Sequence, residues 1–254
     1  MAHDPSLPLD RRDFLERALG SVAVAALAAS PLAARAQAAA GGAALKIGTI
    51  GAGREGGALG TLFAKHGHAV MFSSRNPEQL KDLVASAGAN SQAGTVEQAV
   101  AFGDVVLLVV PYTAVEQIGR DHGAALASKR LVIDVSNPIA RRDGDEIVKW
   151  VGEQGGAGLA TQKLLPGAHL VRAFNAIGSG RLVEAAQRSG EPIGVPIAGD
   201  DTAAIALASS LIEELGLAPV LVGGLAMGKY LVPGTPLAGE HSPDEIRQIA
   251  RTLK

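Results

Sequence analysis

The feature that most constrains this chain is a short apolar run, Leu45–Ile50, ending directly in Gly51-Ala52-Gly53-Arg54-Glu55-Gly56. A helical pattern over Arg54–His66 follows and is closed by Gly67. Glycines spaced G-x-G-x-x-G mean little alone. Between a strand and a helix they specify a tight turn at Gly51, a close backbone approach at Gly53 and close helix–strand packing at Gly56. The amides of such a turn and the positive end of the helix dipole converge on one point, which suits a diphosphate. Gly51 to Gly56, with Ala52, Arg54 and Glu55, are therefore expected to cradle a dinucleotide.

The next strand, Ala69–Ser73, indicates which dinucleotide. An NAD site usually places an acid about 20 residues past the first glycine, to hold the ribose 2′-OH. Here that stretch reads Phe72-Ser73-Ser74-Arg75-Asn76, with no acid. Hydroxyls and a guanidinium suit a 2′-phosphate, which a carboxylate would repel. Ser73, Ser74, Arg75 and Asn76 thus point to NADP.

Strand and helix alternate beyond this turn. Asn76-Pro77 starts a helix to about Ala87, and Thr95 to Gln98 form a capping box. Val105–Val110 and Arg130–Val135 read as strands buried on both faces. Helices are expected over Val115–Ala127, Arg181–Arg188 and Thr202–Leu215, the last capped by Asp200/Asp201, with strands His169–Phe174, Ile193–Ala198 and Ala218–Leu221 between and after them. Residues 139–159, rich in Gly and charge, read as an irregular insertion around a short helix, with Arg141-Arg142-Asp143 in an exposed loop. The expected fold is α/β: a Rossmann-like, doubly wound parallel sheet in a single domain, with a small C-terminal extension begun by Ser242-Pro243. Pro111, Tyr112, Asn137, Ala173, Phe174 and Asn175 follow strand C-termini, where ligands bind such sheets. Tyr112 either rests on the cofactor or packs. Asn137 and Asn175 either bond the ribose or nicotinamide amide or cap turns.

Residues 1–36 read as an address rather than part of the fold. Asp10-Arg11-Arg12-Asp13-Phe14-Leu15-Glu16 precede an uncharged run from Ala18 to Ala34 that Gly20 and Pro31 interrupt. This is the pattern of a twin-arginine signal peptide, with Ala34-Arg35-Ala36 as the cleavage site or Ala36-Gln37-Ala38 as a second register. The run is too weak for a stable membrane span. Export to the periplasm would leave residues 37–254 as an NADP-binding oxidoreductase domain, and this route carries proteins already folded, often around a cofactor.

Composition narrows the chemistry. The 23 basic and 25 acidic residues leave a net charge of −2, unlike a nucleic-acid-binding protein. With no Cys, thiolate catalysis and Cys-ligated metal are excluded. His3, His66, His68, His122, His169 and His241 are scattered, so no metal site and no catalytic constellation is expected.

Together the segments IGTIGAGREGGALG, FSSRNP, VVLLVVPYTAV, LVIDVSNP, HLVRAFNAIGSGRL and GLAPVLVGGLAMGKYLVPGTPL resemble the NADP-dependent reductases of the deazaflavin coenzyme F-420. They are also similar to the oxidoreductase domain of the six-span epithelial-antigen metalloreductases. The resemblance implies hydride transfer between NADP(H) and a deazaflavin or flavin acceptor. It places Ser74 and Arg75 on the 2′-phosphate, Pro111 and Tyr112 beside the cofactor, Ala173 to Asn175 along the nicotinamide, and Gly223 to Met227 at the acceptor pocket. A further basic residue of the family would fall near Gln79, which leaves the phosphate to Arg75 with Lys81 nearby. The alternative is a non-catalytic NADP-binding sensor or accessory module. The partner is a small-molecule acceptor, and a homodimer is compatible with the sequence without being legible in it.

Overall fold

A computed structural model describes residues 44–253; the expected signal over 1–36 lies outside them. The described strands are β1 (Lys46–Ile50), β2 (Ala69–Ser73), β3 (Ser91–Gly94), β4 (Val105–Leu108), β5 (Leu131–Asp134), β6 (Leu170–Arg172), β7 (Gly194–Gly199) and β8 (Ala218–Gly223). They form one sheet in the order β3-β2-β1-β4-β5-β6-β7-β8. The helices are α1 (Arg54–Lys65), α2 (Lys81–Ala87), α3 (Val96–Phe102), α4 (Val115–Ala127), α5 (Ala140–Asp143), α6 (Asp145–Glu153), α7 (Ala157–Leu164), α8 (Ser179–Gln187), α9 (Thr202–Glu214) and α10 (Pro243–Thr252).

Alternation along β4 shows why the apolar runs fold this way. Val105 and Leu107 enter the core on the α1 side, whereas Val106 and Leu108 enter a second core with Tyr112, Ile118 and Leu126. All four are fully buried. Each such side chain contributes about 1.5–3 kcal/mol by leaving water, so both faces must be covered by helices.

The α/β, Rossmann-like reading holds, with corrections. The pairs from β3 through β6 are parallel, but β6 pairs antiparallel with β7 through Val171↔Gly199 and Arg172↔Ala198. β8 then runs parallel to β7, so both oppose the rest. The connection through α8, which packs on α1, brings the chain into β7 from the end of the sheet at which β6 leaves it. β3, reading SQAG, has no β-branched or aromatic residue and escapes pattern recognition; its pairing with β2 makes it a strand. Residues 139–159 hold α5, α6 and the start of α7 rather than irregular chain. The helix expected from Pro77 begins as a 3₁₀ turn over Pro77–Leu80, and the Asn76 side chain does not cap it. Asp201 caps α9 by accepting from the Ala203 and Ala204 amides. Asp200 is no cap of that helix; its Oδ1 accepts from Leu225 N at 3.1 Å. Among the described residues no helix is long and apolar enough to cross a membrane.

Candidate functional site

The turn after β1 is built as the glycine spacing demands. Gly51 has φ +96°, and a Cβ there would stand 2.2 Å from Val109 O. A Cβ on Gly56 would stand 1.9 Å from Gly51 O, so α1 can start tightly against the strand only with glycine here. Gly53 differs: a Cβ on it meets nothing within 4 Å. Protein packing does not require glycine at 53, whereas close approach by a ligand does. Ala52 N donates to Ser73 O at 3.1 Å and ties the turn to β2.

A cleft of about 970 Å³ opens at this turn, along the C-terminal ends of β1, β4, β5 and β6. This is the point where the strand order reverses between β1 and β4, the usual ligand position in such sheets. Its walls are Gly53 to Gly56, Val109 to Pro111, Val135 to Asn137, Phe174 to Arg181, and a loop that includes Pro233, Gly234, Ala238 and Gly239. Gly239 N donates to Ala176 O at 2.8 Å, which fastens that loop to the segment after β6. The α1 N-terminus supplies amides without helical partners and a favourable dipole for an anion.

Of the residues read from the sequence, Gly53, Arg54, Glu55, Gly56, Pro111, Asn137, Phe174 and Asn175 line the cleft. Gly51 and Ala52 shape the turn beneath it. Arg142, Arg181 and the 233–239 loop also line it and were not singled out by sequence. Asn137 Nδ2 donates to Asn175 O at 2.9 Å, and Asn175 Nδ2 donates to Asp134 O at 3.0 Å. Asn137 Oδ1 accepts from Arg172 Nη2 at 3.0 Å.

The remaining residues read from the sequence lie outside the cleft walls. Ser73 is buried and its Oγ donates to Thr49 O at 2.7 Å, so its hydroxyl is spent inside the sheet. Tyr112 does not flank the cleft: its buried hydroxyl bonds Ala157 O at 3.2 Å and Thr161 Oγ1 at 3.0 Å, and burial pushes the phenol pKa up. Ala173 is fully buried in the core beneath the cleft. Ser74, Arg75 and Asn76 sit on the turn after β2, outside the cleft walls, with Ser74 Oγ accepting from Asn76 N at 2.9 Å. Arg75 is exposed there and forms no ion pair among the described residues. None of Gly223 to Met227, the segment that leaves β8, is among the cleft walls; Leu225 is buried in the second core.

Arg142 and Asp143 form no exposed loop. Asp143 is buried, and Arg142 Nη2 donates to Asp143 Oδ2 at 2.9 Å and to Asn137 O at 2.6 Å. Burial acts to raise the Asp143 pKa, but the bonds from Arg142 and the Ile139 amide prevail and hold it below the usual carboxylate range. Glu55 joins two walls: its Oε1 accepts from Ser179 N, the first amide of α8, at 2.7 Å. Burial pushes the Glu55 carboxyl up, against the opposing effect of that bond.

Residues 46–138 match the family described as NADP oxidoreductase, coenzyme F420-dependent. Over this segment the chain is similar to that family. It is an NADP-dependent oxidoreductase, with the fingerprint turn and the first three cleft walls inside the matched segment. Similar solved structures include a hypothetical protein from Sinorhizobium meliloti, 27% identical with TM-score 0.65, the match covering 77% of this chain and 93% of that one. A candidate F420-dependent NADP-reductase from Arthrobacter sp. FB24 is 20% identical with TM-score 0.61, over 73% of this chain and 87% of that one. A reductive aminase from Aspergillus terreus in complex with NADPH and ethyl levulinate is 19% identical with TM-score 0.50, over 73% of this chain and 57% of that one. The last two likenesses concern the fold alone. No curated protein matches the oxidoreductase.

Proposed function

We propose that this oxidoreductase transfers hydride between NADP(H) and a deazaflavin or flavin acceptor held in the same cleft. The observation that carries the reading is Gly53, whose open side faces the cleft inside the family-matched turn. In this reading the amides of Gly53 to Gly56 hold the diphosphate, and Ser74 with Arg75 holds the 2′-phosphate. Pro111, Asn137 and Asn175 border the nicotinamide. NADPH supplies the hydride when bound, and the chain's part is orientation and exclusion of water. The cleft volume is at the upper end of small-molecule pockets, which supports room for a second ring. Anaerobic mixing with NADPH and FMN, FAD or the deazaflavin should bleach one acceptor's visible absorbance. Failure with all three rejects the acceptor class, and NADP bound without turnover would instead fit a sensor or accessory module.

The sequence motif at Asp10 to Glu16 supports export of the folded, cofactor-loaded protein to the periplasm, with residues 37–254 as the mature chain. Cell fractionation of the wild type and of the Arg11→Lys/Arg12→Lys variant tests this. Periplasmic wild type and retained variant are expected, and equal distribution refutes it.

A further inference from the structure

Below the cleft, the ends of β5 and β6 carry a closed circuit of hydrogen bonds. Arg172 Nη1 donates to Asp134 Oδ2 at 2.5 Å and to Ser136 O at 3.0 Å, while Nη2 donates to Asn137 Oδ1 at 3.0 Å. Asn137 Nδ2 continues to Asn175 O at 2.9 Å, and Asn175 Nδ2 returns to Asp134 O at 3.0 Å. A guanidinium can only donate and a main-chain carbonyl can only accept. Neither side-chain amide can therefore flip without breaking the circuit. One atom is left over. Asn175 Oδ1 has no partner among the described residues, although Asn175 is only 4% exposed and lines the cleft.

Stability does not explain the arrangement. Desolvating an ion pair usually offsets its attraction, and Arg172 Nε is also buried without a partner among the described residues. Space is nevertheless reserved for this side chain. A Cβ on Gly228 would lie 2.6 Å from Arg172 Cδ and 3.0 Å from Gly158 Cα, so two glycines form the slot that takes the arginine stem. Phe174, just before Asn175, has φ +64°, a left-handed conformation that is costly for an aromatic residue. Backbone strain and a buried charge converge on the orientation of one amide.

We propose that Arg172 is a positioning residue for the nicotinamide end of the cofactor. It fixes Asn137 directly and Asn175 through Asn137 and Asp134. The Asn175 Oδ1 acceptor is thereby kept for an N–H donor, which the nicotinamide carboxamide provides. No bond is made or broken at Arg172. The inference rests on reading the cleft as an NADP(H) site.

The test uses the full chain as wild type, Arg172→Lys and Asn137→Ala, each titrated with NADPH and with adenosine 2′,5′-bisphosphate, which lacks the nicotinamide. Lysine keeps the charge but loses the forked reach to Asn137. Asn137 is half-buried, and its truncation spares the ion pair should Arg172→Lys fail to fold. Both variants are expected to lose about tenfold in NADPH affinity while binding the bisphosphate as the wild type does. A purely structural role would weaken both ligands together. Equal loss for the two ligands, or wild-type NADPH affinity in the folded variants, overturns the inference. Wild type that binds neither ligand overturns the cofactor reading itself, a separate and visible failure.

Discussion

Asp134 and Arg172, the last residues of β5 and β6, stand opposite each other in the sheet and form an ion pair with neither side chain exposed. Removing one partner strands a buried charge. Asp134→Ala should therefore lower the unfolding free energy by about 3–5 kcal/mol, whereas the apolar pair Asp134→Leu/Arg172→Met should recover most of it. Urea unfolding of the single and double variants measures both. A double variant as unstable as the single one would mean that the circuit, rather than the charge, holds the strand ends.

Arg75 is exposed on the turn after β2 with no ion pair among the described residues. Charge-assisted bonds to phosphate contribute about 1.5–3 kcal/mol, so Arg75→Ala should weaken NADPH at least tenfold and leave NADH nearly unchanged. Fluorescence titration of both nucleotides decides it; equal losses would remove Arg75 from the 2′-phosphate.

The second and third glycines of the fingerprint should respond oppositely. Gly53→Ala places a methyl group in open space, so melting temperature should hold while NADPH affinity falls. Gly56→Ala drives a methyl group to 1.9 Å from Gly51 O and should destabilise the fold itself. Thermal melts with and without NADPH separate these cases.

Glu55 sets a pH dependence. Its carboxyl is raised by burial, so between the ordinary value of 4.5 and its folded value the native state binds more protons than the unfolded one. Stability from this group is then fully present below 4.5 and declines as pH rises through the folded pKa. Glu55→Gln keeps an acceptor for Ser179 N and should flatten that decline. Unfolding curves taken from pH 4 to pH 8 read the slope, and an unchanged slope refutes the assignment.

The first part of the fold was legible because its signals are local. A strand, three spaced glycines and an amphipathic α1 need no knowledge of distant neighbours. The direction of β7 was not legible, because a buried run reports that both faces are covered and not which way the strand points. Tyr112 follows Pro111, which lines the cleft, yet the turn aims its hydroxyl inward to Ala157 and Thr161, and the pleat aims that of Ser73 at Thr49. The circuit below the cleft had a faint sequence signature in the charged residues that end LVID and HLVR. Pairing them required the register of β5 against β6.

The cleft walls come from both sides of residue 138, where the family-matched segment ends: the fingerprint lies before it, and the walls from Phe174 onward lie after it. A nucleotide lodged there is in effect a non-covalent staple across the chain. At a free concentration about one hundred times its dissociation constant, such a ligand adds about 2.7 kcal/mol to the folded state. The durability of this protein then becomes a gauge of how much cofactor surrounds it while it folds.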